Sequence, residues 1–150
     1  AIAVRKLSRR TAILDLDLHH GNGTQDIFMG SSDILFVSLH QSPLYPGTGL
    51  SSEGNCLNFP LPPGTDEGEY LETLGEALDE VRGFGPEVLA VSLGLDTHWR
   101  DPLGSIKLKE ESYEKMGEMV AALKLSTFIV LEGGYSEVGP GCYNFLRAFA

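Results

Sequence analysis

Ile13-Leu14-Asp15-Leu16-Asp17-Leu18-His19-His20-Gly21-Asn22-Gly23 alternates apolar and polar side chains from Leu14 to His19. Residues two apart along a β-strand project to the same side. The alternation predicts a strand over residues 11–18, with Leu14, Leu16 and Leu18 on one face and Asp15, Asp17 and His19 sharing the other. A buried carboxylate without a partner is costly enough that it takes up a proton or finds a counter-charge. Two of them beside an imidazole at a strand end are best explained by a cation held between them. By strand rise, the backbones of Asp17 and His19 stand roughly 6.6 Å apart, close enough for both side chains to meet one ion at about 2.0–2.2 Å.

Apolar runs recur along the rest of the chain, with helical patterns between them. Residues 34–39 and 88–93 are short, β-rich runs that read as buried strands, and 127–131 is a third. Residues 55–61 make a weaker strand, placed at an edge by Pro60. Residues 66–84 predict an amphipathic helix with Tyr70, Leu71, Leu74, Ala77, Leu78 and Val81 in one stripe. Asp66, Glu67 and Glu69 fall in its first turn, where the helix dipole favours acids. Residues 110–125 repeat the pattern through Tyr113, Met116, Val120 and Leu123. Residues 23–28 suggest a short helix capped by Thr24, and 139–150 open a last one. Strands alternating with helices imply an α/β fold, a mostly parallel sheet covered on both faces.

Residues 1–10 read as the last turns of a helix, apolar at positions 1, 4 and 7 with cations at the end that suits the dipole. Without a cap or an initiator Met, this start leads to the expectation of a fold truncated at its N-terminus. Residues 1–150 would then be a single partial domain. Hydrophobic content of 42% allows a real core in a soluble protein. A net charge of −10 argues against nucleic-acid binding, which needs clustered Lys and Arg. Cys56 and Cys142 lack CxxC spacing and read as reduced thiols. With no apolar run long enough to span a bilayer and no signal peptide, a cytoplasmic location is expected.

Three polar segments follow predicted strands: His19–Asn22, Asp96-Thr97-His98 and Glu132-Gly133-Gly134-Tyr135. All are aimed at the carboxyl ends of strands, the rim where open α/β sheets build their sites. Asp17, His19 and Asp96 make a plausible metal set, and three protein ligands leave a position open for water, as in catalytic zinc sites. The plainer alternative is turn capping by Asp17 and His19 and a self-bonded loop Asp96. Asp15 could orient a histidine, ligate a monovalent cation, or accept from backbone amides. Tyr135, after two glycines, could project over the site as a hydrogen-bond donor to an oxyanion, or be an ordinary tyrosine after a turn. Tyr45-Pro46-Gly47-Thr48-Gly49, in the long loop 41–54, offers either an aromatic channel wall or a simple turn. His20, His40, His98 and Trp99 are ambiguous in the same way.

Together these segments resemble the histone deacetylase superfamily, which includes acetylpolyamine amidohydrolases. Asp15-Leu16-Asp17-Leu18-His19-His20-Gly21-Asn22-Gly23-Thr24-Gln25 is similar to its metal strand. Ser38-Leu39-His40, Tyr45–Gly49, Gly94-Leu95-Asp96-Thr97-His98-Trp99-Arg100-Asp101-Pro102 and Glu132–Tyr135 follow in the family's order. Asn22 makes the chain resemble the class II and prokaryotic branch.

The resemblance implies the three-layer arginase/deacetylase fold, with Zn2+ on Asp17, His19 and Asp96 and Tyr135 polarising an acetyl carbonyl. It further implies a K+ site at Asp15 and Ser38 with main-chain oxygens of Asp17, His19 and Leu39, and a second near the carbonyls of Phe28, Ser31 and Ile34. Tyr45, with Gly133 and Gly134, would line the channel for an acetylated lysine, polyamine or other small acetylated amine. The family's paired proton-handling histidines have no counterpart among the four histidines here, so the chain alone is expected to hydrolyse poorly. A non-catalytic metal-binding or interaction domain is the competing reading. An arginase-like dimanganese enzyme stands further back, because Gly21 occupies the position of its bridging carboxylate.

Overall fold

The computed structural model describes residues 1–136 and 138–150. Its elements run α1 (Ile2–Leu7), β1 (Thr11–Asp15), α2 (Asn22–Phe28), β2 (Ile34–Gln41), β3 (Cys56–Leu61), α3 (Glu67–Phe84), β4 (Val88–Leu93), α4 (Glu110–Ala121), β5 (Ser126–Leu131) and α5 (Val138–Arg147). The five strands form one sheet in the order β3-β2-β1-β4-β5, and every neighbouring pair is parallel. Parallel strands need helical crossovers, which cover both faces and explain the nearly unbroken apolar runs of β1, β2 and β4.

The larger core lies on one face, where Ala12, Leu14, Val37, Leu39, Leu89, Val91 and Leu93 meet α3, α4 and α5. A smaller one lies on the other, where Ile13, Phe36 and Ala90 meet Val4 of α1 and Phe28 of α2. The result is the expected three layers. No helix among the described residues is long and apolar enough to cross a membrane.

Chain order reverses between β1 and β4. From β1 the chain moves out to β2 and β3, then crosses back through α3 to enter β4 on the far side of β1. Such a reversal opens a crevice beyond the carboxyl ends of the two strands. Asp17 lies just past β1 and Asp96 just past β4, so the topology itself brings these distant carboxylates to one place.

Several boundaries differ from the sequence expectation. β1 ends at Asp15, and residues 17–19 form a bend. The alternation of burial nevertheless persists, because Leu16 and Leu18 stay in the large core. Thr24 is not a cap: α2 starts at Asn22 after Gly21 and has no side-chain cap. α4 stops at Ala121, and Lys124 turns the chain with positive φ. Of the predicted face of α1, only Val4 is buried. β3 is an edge strand, as Pro60 required, although Pro60 lies inside it rather than after it. The acidic start of α3 is realised as a capping box: Glu69 N–H donates to the Asp66 side chain, and Asp66 N–H to that of Glu69.

Tyr70 of α3 is fully buried, and its hydroxyl has no hydrogen-bond partner among the described residues. Leaving a polar group unsatisfied costs about 1–3 kcal/mol. Tyr70→Phe is therefore expected to keep the fold and raise the thermal midpoint by roughly 2–4 °C in a melting experiment. A fall of that size would show that the hydroxyl is bonded in solution.

Candidate metal centre

Beyond β1 the backbone leaves the ladder and is held by carboxylates instead. Leu18 N–H donates to Asp96 Oδ1 (3.0 Å), and His19 N–H to Asp17 Oδ1 (2.9 Å). These bonds turn Asp17 and His19 toward Asp96. His19 Nδ1 then lies 3.1 Å from Asp17 Oδ1 and 3.3 Å from Asp96 Oδ2. Four ligands at 2.0–2.1 Å on a tetrahedral ion stand about 3.3 Å from one another, so these separations suit such an ion. One donor atom from each of Asp17, His19 and Asp96 lies within 4.8 Å of the others. Asp96 is sealed from solvent, yet its Oδ2 has no hydrogen-bond partner among the described residues. Burial, reinforced by the negative charge of Asp17, pushes the Asp96 carboxyl up to about 6. The residues thus fit a cation: a buried orphan oxygen in a cluster short of positive charge.

The loop after β5 closes over this cluster. Gly133 N–H donates to Asp17 Oδ2 (2.8 Å), and Leu95 N–H donates to Gly133 O (2.7 Å). A Cβ at position 133 would fall 2.1 Å from Asp96 Oδ2 and 2.6 Å from Asp17 Oδ2, so only glycine fits. Gly134 follows with φ 147°, a conformation that favours glycine. Tyr135 comes next, its N–H donating to Asp101 Oδ2 (2.8 Å). Its side chain is exposed on a cleft of about 450 Å³ that Asp15, Asp17, His19, Glu132 and Gly133 also line.

Asp15 sits deeper. It pairs in register with Ser38 of β2, whose neighbour Leu39 is buried in the core. Its Oδ1 accepts from Asp17 N–H (3.1 Å). Burial holds its carboxyl well above the usual range, and Asp17, Glu132 and Asp96 add repulsion. Near the other suggested cation position, the Asn55 side-chain amide donates to both Phe28 O and Ile34 O.

Tyr45 is exposed and sets its ring edge-on to His19, centroids 6.5 Å apart. The other three histidines have partners of their own, although His20 also lines the cleft. His20 contacts Thr48 and Gln25, His40 contacts Ser38 and the Gly49 carbonyl, and His98 is buried beside Glu110. Burial lowers His40 to about 4, which keeps it neutral.

A family model described as the histone deacetylase domain matches residues 1–142. The chain belongs to this family. It is 40% identical to acetylpolyamine amidohydrolase 2 of Pseudomonas aeruginosa, over 93% of this chain and 44% of that protein. It is 41% identical to a probable deacetylase of Archaeoglobus fulgidus, over 94% of this chain and 43% of the other. The crystal structure of an acetylpolyamine aminohydrolase from Burkholderia pseudomallei superposes on 99% of this chain and 47% of its own, with a TM-score of 0.92 at 35% identity. The chain therefore spans just under half the length of these relatives, and the α/β layering matches a solved member of the histone deacetylase family.

Two functional elements of this domain escaped the reading of the sequence. Asp101 appears there only as part of a motif, yet it anchors the Tyr135 backbone. Tyr113 appears as a core residue of α4, yet its hydroxyl donates to Leu95 O (3.2 Å) and shares a hydrogen bond with Thr97, steadying the turn that carries Asp96. An Asp-Pro dipeptide close behind the strand-end acid was the available signal for the first. For the second there was none, because a tyrosine in a helical apolar stripe looks like packing alone.

Proposed function

We propose that this domain forms the metal-binding part of an enzyme that hydrolyses acetyl amides, acetylated polyamines being the favoured substrates. The observation that carries this reading is the orphaned, buried Asp96 Oδ2 grouped with Asp17 and His19, which line the same cleft as Tyr135. The relatives named as acetylpolyamine amidohydrolases support the substrate class. The negative charge of Asp17 and Glu132 along the cleft also suits a cationic amine.

Asp17, His19 and Asp96 would hold Zn2+, which when bound polarises a carbonyl and lowers the pKa of a water. Asp17 and Asp96 supply the counter-charge, and Gly133 leaves their oxygens room. The Tyr135 hydroxyl donates a hydrogen bond to the acetyl oxygen as it gains negative charge. Tyr45, set edge-on to the His19 ring, would offer an aromatic surface for an aliphatic amine chain. Asp15 and Ser38, with carbonyls of Asp17, His19 and Leu39, would hold K+, which would relieve the raised carboxyl of Asp15. None of His20, His40 and His98 is free to relay a proton in the cleft, so residues 1–150 alone would bind metal but turn over slowly. General base catalysis contributes about 10²–10⁴-fold.

The test is Tyr135→Phe in the complete enzyme, assayed on an acetylated diamine with metal content measured in parallel. Turnover is expected to fall on the order of 10²-fold with zinc retained. An unchanged rate removes the donor role, and wild-type protein without stoichiometric metal removes the zinc reading.

A further inference from the structure

We propose that Asp101 is a positioning residue for Tyr135: its buried carboxylate fixes the backbone from which the phenol reaches over the cleft. The inference rests on the donor role of Tyr135 and names what holds that donor in place.

Tyr135 leans on little else. Its side chain is 61% exposed, so packing does not set its direction. The loop before it is pinned at its start, where Glu132 N–H donates to Leu93 O (3.0 Å) and Gly133 N–H to Asp17 Oδ2. Gly134 then turns with φ 147°, and a glycine there leaves the following residue free to swing unless something beyond it is held.

That hold is the bond from Tyr135 N–H to Asp101 Oδ2, 2.8 Å long and 34 residues distant in sequence. Asp101 is itself rigidly placed. It is 5% exposed, its other oxygen accepts from Leu103 N–H (3.0 Å), and its own N–H donates to His98 O (2.8 Å). A hydrogen bond from an amide to an ionised carboxylate is roughly twice as strong as a neutral one, and burial strengthens it further. Asp17 thus clamps the loop on the metal side and Asp101 on the far side of Gly134. The two together fix the backbone from which the phenol projects.

The complete, metal-loaded protein tests this through Asp101→Asn and Asp101→Ala, each alone and combined with Tyr135→Phe. Kinetics on an acetylated diamine, metal content and amide hydrogen exchange over residues 132–136 are measured together. Misplacement of a reacting group by about 1 Å costs up to 10²-fold, so kcat is expected to fall roughly 10- to 100-fold, more for Ala than for Asn. KM should change little, because the Tyr135 bond forms in the transition state. Zinc should stay bound, and the Tyr135 amide should exchange faster. In the Tyr135→Phe background the Asp101 substitutions should cost almost nothing further in kcat.

An equal loss in both backgrounds, an unchanged kcat, or loss of metal from the single variants overturns the proposal. So does failure of both Asp101 variants to fold, since Asn keeps the shape of Asp. Failure of the donor role is recognised separately: Tyr135→Phe alone then leaves turnover intact before any Asp101 variant is made.

Discussion

Gly133→Ala is expected to abolish tight divalent-metal binding while changing neither the charge nor the ligands of the site. The added Cβ would sit 2.1 Å from Asp96 Oδ2 and 2.6 Å from Asp17 Oδ2, well inside van der Waals contact. Either the two carboxylates separate or the loop lifts. In the first case the ligand spacing around His19 is lost. In the second the Gly133 N–H bond to Asp17 breaks, leaving Asp17 Oδ2 without its orienting donor. Loss of one such outer partner costs 10–100-fold in metal affinity, and here two ligands are displaced at once, so the fall should be at least about 10²-fold. Overpacking adds roughly 1–3 kcal/mol of destabilisation. Calorimetric titration with zinc, beside a thermal melt of the metal-free protein, reads both effects. Wild-type affinity in this variant would mean that Asp17 and Asp96 hold no common ion.

The arrangement around Gly133 also shows where the sequence was readable and where it was not. Period-two alternation put Leu14, Leu16 and Leu18 in the core and Asp17 and His19 opposite them, and burial follows that pattern. The alternation could not show that the ladder stops at Asp15, because an extended bend keeps the same period as a strand. What replaces the ladder is a pair of side-chain acceptors, Asp17 Oδ1 and Asp96 Oδ1, and the second comes from 78 residues away. Helix interiors were legible from their stripes: Tyr70, Leu74, Ala77, Leu78 and Val81 of α3 are all buried. Helix ends were less so. Leu123 and Leu125 pack on the core after α4 has ended, and the apolar pattern alone counts them as helix. The candidate ligands could be named because strand ends collect polar residues. Gly133, which bonds Asp17, and Asp101, which bonds the Tyr135 backbone, act through main-chain contacts that no side-chain pattern records.

Asp96→Asn separates the metal reading from a merely structural one, because its two effects have opposite signs. Asn keeps an oxygen for Leu18 N–H and places its amide where Asp96 Oδ2 stands, 3.3 Å from His19 Nδ1, so the Leu18 bond survives without the charge. In the metal-free protein the Asp96 carboxyl is raised from 3.8 to about 6, so the folded state holds a proton that the unfolded state gives up more readily. Stability from this group is therefore lost as pH rises through that window, and above it the ionised carboxylate costs on the order of 1–3 kcal/mol. Without metal at pH 7.5 the variant should melt higher than the wild type. The gap should shrink as pH falls and nearly vanish at about pH 4, where both side chains are neutral. Comparing the two proteins at each pH cancels the contribution of His40, which both carry unchanged, while Asp15 loses the repulsion of Asp96 in the variant, which adds to the gain in the same direction. Zinc should reverse the order. Structural zinc sites supply about 10–16 kcal/mol, so the loss of one charged ligand in three should weaken binding roughly 10²–10⁴-fold. Saturating metal then raises the melting point of the wild type and barely moves that of the variant. Melting curves with and without zinc, from pH 4 to 8, carry the whole test. Parallel shifts in both proteins would show that the ion binds elsewhere, and a variant less stable without metal would show that the Asp96 charge supports the fold rather than straining it.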